Sequence, residues 1–262
     1  MMAERAGTSL EKGLALVQAV ASAGSGLTVS ELSRLTGLNR TTVYRLLAVL
    51  QRSDWLIEDG KSGGGKAFRL GPAAFGFSVL LANKYDLASR LQPLMEKLAR
   101  DVDETVHAGV LDGTEVVHIA RAEPELGPHM AVALGARSHA HLTGLGKAIL
   151  STLPRDEVLR RYPREKLATV TRNSIATRSA LLDNLEEIAN RGYAIDDEEA
   201  RLGVRCVAAP VFGSDGAALL AISVTSPLDN LQEARLREVA ASVLATSERM
   251  SSVASSIDLV SS

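Results

Sequence analysis

Apolar positions along the chain follow two periods, and the change between them divides it. Up to about residue 102 they recur three and four apart, the spacing of one helix face, interrupted by a single short pair of strands. From Glu104 the period changes, and stretches of alternation, the spacing of one strand face, come in among helical ones. In the first part, Thr8 and Ser9 precede a helix whose stripe is Leu10, Leu14, Val17 and Val20/Ala21. Thr28, with Glu31 three residues on, has the capping-box pattern that opens a short second helix with Leu32 and Leu35 on one face. Gly37 stands where the chain must turn with positive φ, and Ser33 is small enough for a neighbouring helix to approach. Asn39 caps a longer helix with Val43, Leu46, Leu47 and Leu50 inward. WLIED and FRLG then read as two strands around a GKSGGGKA tip. Pro72 opens a helix with Phe75, Val79, Leu80, Leu87 and Leu91 on its apolar side, running to about Arg90 and into another with Leu94, Leu98 and Val102 in phase.

In the second part, TVHAGVLDGTEVVHIAR alternates around Asp112-Gly113, a hairpin signal. A further strand is expected at His129 to Leu134. Thr143 caps a helix in GLGKAILSTL, and a short helix follows Pro154. Another helix, Leu181 to Arg191, stops at Gly192. Tyr193 to Asp196, Val204 to Phe212 and Ala217 to Thr225 read as strands, a closing helix occupies about Leu231 to Val253, and the tail after about 254 is expected to be disordered. Antiparallel strands with helices grouped around them make an α+β, sensor-like domain.

The outward face of the Asn39 helix carries Arg40, Thr41, Thr42, Tyr44 and Arg45, with no acidic residue from Asn39 to Ser53. Two helices, a glycine turn and an exposed start bearing arginines and hydroxyls form a helix-turn-helix, with the hairpin as its wing. Arg40 and Arg45 suit guanine edges or phosphates, Thr41 and Thr42 phosphates or thymine methyls, and Tyr44 either. Lys61 and Lys66 flank the wing tip, where they would meet phosphate. The competing view is an ordinary αα-corner whose polar residues are merely solvated. Gly60 to Lys66 also matches the start of a phosphate-binding loop, but Ala67 stands where that motif needs a hydroxyl and a strand follows instead of a helix, which excludes nucleotide binding there.

Charge sharpens the division. Residues 1–70 hold nine Lys/Arg against six Asp/Glu, and residues 71–262 hold twenty against twenty-five, a mildly basic head on an acidic body. One cysteine, Cys206, excludes an intrachain disulfide and fits a reducing compartment. With no apolar leader and no apolar run near 18 residues, a cytoplasmic protein is expected. The histidines all lie between His107 and His141, and His139 and His141 offer two ligands, but no further ligand completes a metal site. Asp196 to Glu199 reads as a solvated acidic loop, and Cys206, in VRCVAAPV, as a small hydrophobe. No nucleophile with a base and an orienting group emerges, so neither catalysis nor a cofactor is expected. The backbone N–H groups at Thr143-Gly144-Leu145-Gly146-Lys147 suit an anion such as a carboxylate, with plain capping and tight packing as the alternative.

The blocks SLEKGLALVQAV, LTVSELSRLTGLNRTTVYRLLAVLQRSDWL and FRLG, followed by HLTGLGKAILSTLP, RGYAIDDEEARLGVRCVAAPVF and AISVTSP, resemble the IclR-type (isocitrate lyase regulator) family of bacterial transcription regulators over nearly the whole chain. The resemblance implies a winged helix-turn-helix at 1–71, a linker helix at 72–90 and a GAF-like domain with an antiparallel sheet at 91–262 that binds a small organic effector. It further implies a dimer or dimer of dimers on a palindromic operator. Carried over, effector contacts fall to the backbone of Gly144 and Leu145, to Asp196, Cys206, Ser223 and Thr225, and to Met130 as an apolar wall. Leu145 is bulkier than the alanine common in the family, and Thr225 replaces a frequent serine. The alternative function is a small-molecule enzyme or redox sensor working through Cys206.

Overall fold

The computed structural model describes residues 8–23, 25–62, 65–76, 87–127, 129–130 and 132–258. The chain forms two compact units, Met1–Tyr85 and Asp86–Ser262. In the first, helix α1 (Ser9–Ser22) starts in a capping box between Thr8 and Glu11, and α2 (Val29–Thr36) in one between Thr28 and Glu31. Gly37 takes φ 70° at the end of α2, a left-handed conformation that costs other residues sterically. Asn39 accepts the Thr42 N–H at 2.8 Å and starts α3 (Arg40–Arg52). Strand β1 (Leu27–Thr28) pairs with β3 (Gly65–Leu70), which pairs antiparallel with β2 (Leu56–Ser62). Leu16, Leu32, Val43, Leu47, Leu56 and Phe68 fill the core.

Three apolar positions fall on the other side from the expected one. Leu10 and Leu14 are 72% and 52% exposed, while Gly13, Leu16 and Val20 of the same helix are buried. Leu35 is exposed where Leu32 is sealed, and Leu50 is only half-buried. The expected helix from Pro72 is described at 72–76; residues 77–86 lie outside the described ones.

The second unit begins with α4 (Leu87–Val102), a continuous helix across the expected junction at Arg90–Leu91. A six-stranded antiparallel sheet follows, in the order β6-β5-β4-β9-β8-β7. Its strands are β4 (Thr105–Asp112), β5 (Glu115–Ala122), β6 (Arg137–His139), β7 (Ala194–Asp197), β8 (Val204–Phe212) and β9 (Ala218–Pro227). Helices α5 (Gly144–Leu150), α6 (Arg155–Arg161) and α7 (Arg178–Arg191) lie between β6 and β7, and α8 (Glu233–Asp258) closes the chain. Strand alternation gives the sheet two faces. Val106, Ala108, Val207, Ala209, Ile222 and Val224 meet α4 and α8 in one core. Ala194, Ala208 and Ala221 join α5, α6 and α7 in the other.

Residues 129–134, expected as a strand, form none among those described. Two of their N–H groups are taken by side chains instead: Met130 N donates to Thr105 Oγ1 at 2.9 Å and Val132 N to His107 Nε2 at 3.3 Å. The paired strand is Arg137–His139. At the other end, α8 continues to Asp258 instead of giving way to a tail after 254, with Ala254 buried in the core.

Helix α5 sits close on its surroundings because of two glycines. A Cβ on Gly144 would lie 3.2 Å from the Ala208 Cβ, and one on Gly146 would lie 2.2 Å from the Ala140 carbonyl oxygen. Gly146→Ala is therefore expected to destabilise the second unit by about 1–3 kcal/mol through overpacking. Chemical unfolding followed by circular dichroism checks this, and an unchanged midpoint would contradict it.

Candidate functional site

The DNA-facing candidates cluster at the start of α3. Arg40, Thr41 and Arg45 are exposed, Tyr44 is 60% exposed, and Thr42 is half-buried. Arg40 donates to Ser30 Oγ at 3.0 Å, which steadies it against the first turn of α2. Arg45 makes no described hydrogen bond or ion pair. Asn39 spends its side chain on the cap. In the wing, Lys61 and Lys66 lie opposite each other in register, and Lys66 forms an exposed ion pair with Glu58 at 2.9 Å. The wing tip at 63–64 lies outside the described residues.

In the second unit a cavity of about 130 Å³ opens between α5 and the sheet, on the face away from α4 and α8. Met130, Gly144, Leu145, Asp196, Cys206, Ser223 and Thr225 all line it. Register explains the gathering. Asp196 lies opposite Cys206, Cys206 opposite Thr225, and His107 opposite Ser223, so four strands contribute neighbouring polar groups. The same alternation that sends Val224 and Ile222 into the opposite core turns Ser223 and Thr225 toward the cavity.

His107 and Thr225 fix each other's hydrogen bonding. His107 Nε2 accepts the Val132 N–H, so the neutral ring carries its proton on Nδ1 and donates it to Thr225 Oγ1 at 3.3 Å. Cys206 Sγ donates to the same oxygen at 3.4 Å. With both acceptor positions occupied, the Thr225 O–H is left to donate to whatever enters. Burial, helped by His118 and Arg121, holds the His107 pKa down at about 4, and burial also lowers that of His118. Both rings are neutral at pH 7.

Several contributors escaped the sequence reading. His107, His118, Ser138 and Arg201 line the cavity without having been singled out for it. Lys147 is fully buried and forms an ion pair with Glu199, itself 8% exposed, joining α5 to the loop after β7. The acidic run expected to be solvated is thus partly interior. Asp196 is 3% exposed, and its Oδ1 accepts the N–H groups of Glu199 at 2.8 Å and Ala200 at 3.2 Å. Burial, with the Glu199 carboxylate beside it, pushes the Asp196 carboxyl up to about 7. Burial foremost, and then Asp196, push the Cys206 thiol up and keep it protonated. Among the described residues no group of three or more His, Cys, Asp or Glu is placed to hold a metal ion, and no helix is long and apolar enough to cross a membrane.

A helix-turn-helix with its wing, followed by an α+β unit with a small cavity into which a few polar groups converge, defines a DNA-binding transcriptional regulator with a ligand-binding domain. The chain belongs to the IclR family. Residues 9–60 match the IclR helix-turn-helix domain and residues 79–252 the bacterial transcriptional regulator IclR C-terminal domain. It is 30% identical to the HTH-type transcriptional repressor AllR of Escherichia coli (strain K12) over 234 residues, 89% of this chain and 85% of that one. It is similar in fold to the IclR transcriptional regulator from Alicyclobacillus acidocaldarius, with a TM-score of 0.80 at 23% identity, covering 93% and 97% of the two chains. It also resembles a double mutant of the PobR inducer-binding domain from Acinetobacter, solved with 3-hydroxybenzoic acid, with a TM-score of 0.58 at 26% identity over 63% of this chain and 97% of that one.

The buried pair generates a test. Lys147→Met leaves Glu199 charged and unmatched, which is expected to cost about 3–5 kcal/mol. The penalty is greatest at pH 8 and shrinks as acid protonates Glu199, whose pKa burial already raises. Adding Glu199→Gln should restore most of the loss; urea unfolding of the three proteins checks the series, and a single variant as stable as the parent would contradict it.

Proposed function

We propose that the chain binds a palindromic operator in double-stranded DNA as a dimer or dimer of dimers, acting in the cytoplasm, and that a small organic acid in the cavity changes its operator affinity. The observation that carries the ligand half is the convergence of Met130, Gly144, Leu145, Asp196, Cys206, Ser223 and Thr225 on one cavity. Its donors suit a carboxylate: the free Thr225 O–H, and the N–H groups of Gly144 and Leu145, which the first turn of a helix leaves unpaired. The 3-hydroxybenzoic acid held by the PobR domain supports the same class of ligand. At about 130 Å³ the space compares with an engineered cavity of roughly 150 Å³ that takes benzene, so a ligand of about six to eight non-hydrogen atoms fits.

On the DNA side, Arg40, Thr41, Thr42, Tyr44 and Arg45 enter the major groove, Asn39 sets the helix start, and Lys61 and Lys66 of the wing meet phosphate. The units at 1–71 and 91–262 communicate through 72–90, and coupling of about 1–3 kcal/mol shifts operator affinity about 5- to 150-fold. A thiol enzyme or redox sensor at Cys206 fits less well, because burial withholds the reactive thiolate.

Selection of bound sequences from random DNA, with and without two- to four-carbon carboxylic acids, tests the proposal and yields the operator. A symmetric site whose recovery depends on an acid is expected; recovery of no preferred sequence would overturn it. On that operator, Arg45→Ala should weaken binding by about 1–3 kcal/mol and relax one base pair, read by fluorescence anisotropy. Unchanged binding would remove Arg45 from the interface.

A further inference from the structure

The cavity holds too little positive charge for an ionised Asp196 and an ionised ligand together. The groups facing Asp196 come from five elements. Cys206 on β8 lies beside it in register, and its thiol is protonated. Lys147 on α5 is committed to Glu199 on the loop after β7, so that pair is balanced. His107 on β4 and His118 on β5 line the same space as neutral rings, and protonating His107 at Nε2 would cost it the Val132 N–H. Arg201, on the loop with Glu199, stands exposed at the rim, where water screens its charge. Two carboxylates sharing a buried site cannot both stay ionised without a cation or a proton between them.

Asp196 is oriented to take that proton. Its Oδ1 is occupied by the N–H groups of Glu199 and Ala200, and Oδ2 has no described hydrogen bond, so Oδ2 is the atom left for the cavity. We propose that Asp196 reads the effector as an acid: a ligand carboxylate and one proton from solvent enter together, the proton bridging Asp196 Oδ2 and a ligand oxygen. Asp196 thereby selects a monocarboxylate over a dicarboxylate of similar size, whose second charge has no counter-charge inside, and over a neutral amide, which offers no anion for the proton to bridge. This rests on the carboxylate reading given above and adds the proton count and the selectivity. The Asp196 carboxyl, already pushed up to about 7 by burial and Glu199, is within reach of full protonation when an anion arrives.

Isothermal titration of the full chain with pyruvate, at pH 6 to 8 and in two buffers of different ionisation enthalpy, counts the protons directly. Uptake of close to one proton per pyruvate is expected at pH 8, falling toward zero at pH 6, with Kd weakening about tenfold per pH unit above about 7. Malonate and pyruvamide should each bind at least about tenfold more weakly than pyruvate at pH 7. Asp196→Asn, which keeps the Oδ1 acceptor for both N–H groups, should bind pyruvate without proton uptake and without the pH slope. Binding of pyruvate at pH 8 with no proton uptake, or the same uptake in Asp196→Asn, would overturn the proton role and move recognition to Arg201. No binding by acetate, pyruvate, lactate or butyrate at any pH would overturn this inference and the carboxylate reading together.

Discussion

A lysine ammonium sealed from water must be matched by an anion, and in this chain Lys147 is matched by Glu199, fifty-two residues away in sequence. The pair ties α5 to the loop after β7, and these are the two elements that wall the cavity opposite β4 and β9. The pair also uses up the one fully buried cation among the described residues. The buried charge left to the cavity is therefore that of Asp196, with Arg201 exposed at the rim, and donors come from Thr225 and the start of α5. The loop is further held from outside by Thr171 and Ser174, whose hydroxyls donate to the carbonyls of Glu198 and Glu199.

The rest of the second unit follows from using both faces of one sheet. Valines and isoleucines of β8 and β9 pack against α4 and α8 and make a continuous apolar core. The opposite face carries alanines where α5 to α7 pack closely, and shifts to His107, Asp196, Cys206, Ser223 and Thr225 beside the start of α5, where the cavity opens. Small residues bring α5 close, and the polar ones stand where its first turn ends the close packing. Hydrophobic burial on one face thus stabilises a structure that can hold unsatisfied hydrogen-bonding capacity on the other.

Local signals in the sequence were the legible ones. The helix start at Thr8 and Ser9, the capping box at Thr28, the turn at Gly37 and the cap at Asn39 each act locally, and the helices start and stop there. Strands β8 and β9 were equally plain because their apolar runs are long. Helix α1 was harder: Leu10, Leu14 and Val17 recur at helical spacing, but so do Gly13, Leu16 and Val20, and periodicity alone does not choose which side the core takes. Residues 129–134 alternate like a strand, yet the N–H groups of Met130 and Val132 go to Thr105 and His107, partners twenty-five residues upstream. The burial of Asp196 and Glu199 was hidden for the same reason, since an acidic run reads as solvated unless a distant lysine is known to meet it. His107 escaped notice because its place beside Ser223 depends on strand register, which no single stretch of sequence contains.

The central claim is that the cavity and the recognition helix belong to one linked equilibrium, and linkage is reciprocal. The most direct measurement is the affinity of the full chain for pyruvate, or for whichever small acid binds it, when free and when saturated with its selected operator. The account predicts that operator DNA changes the acid's Kd by the factor by which the acid changes the DNA's, about 5- to 150-fold. Equal affinity for the acid with and without operator would contradict it.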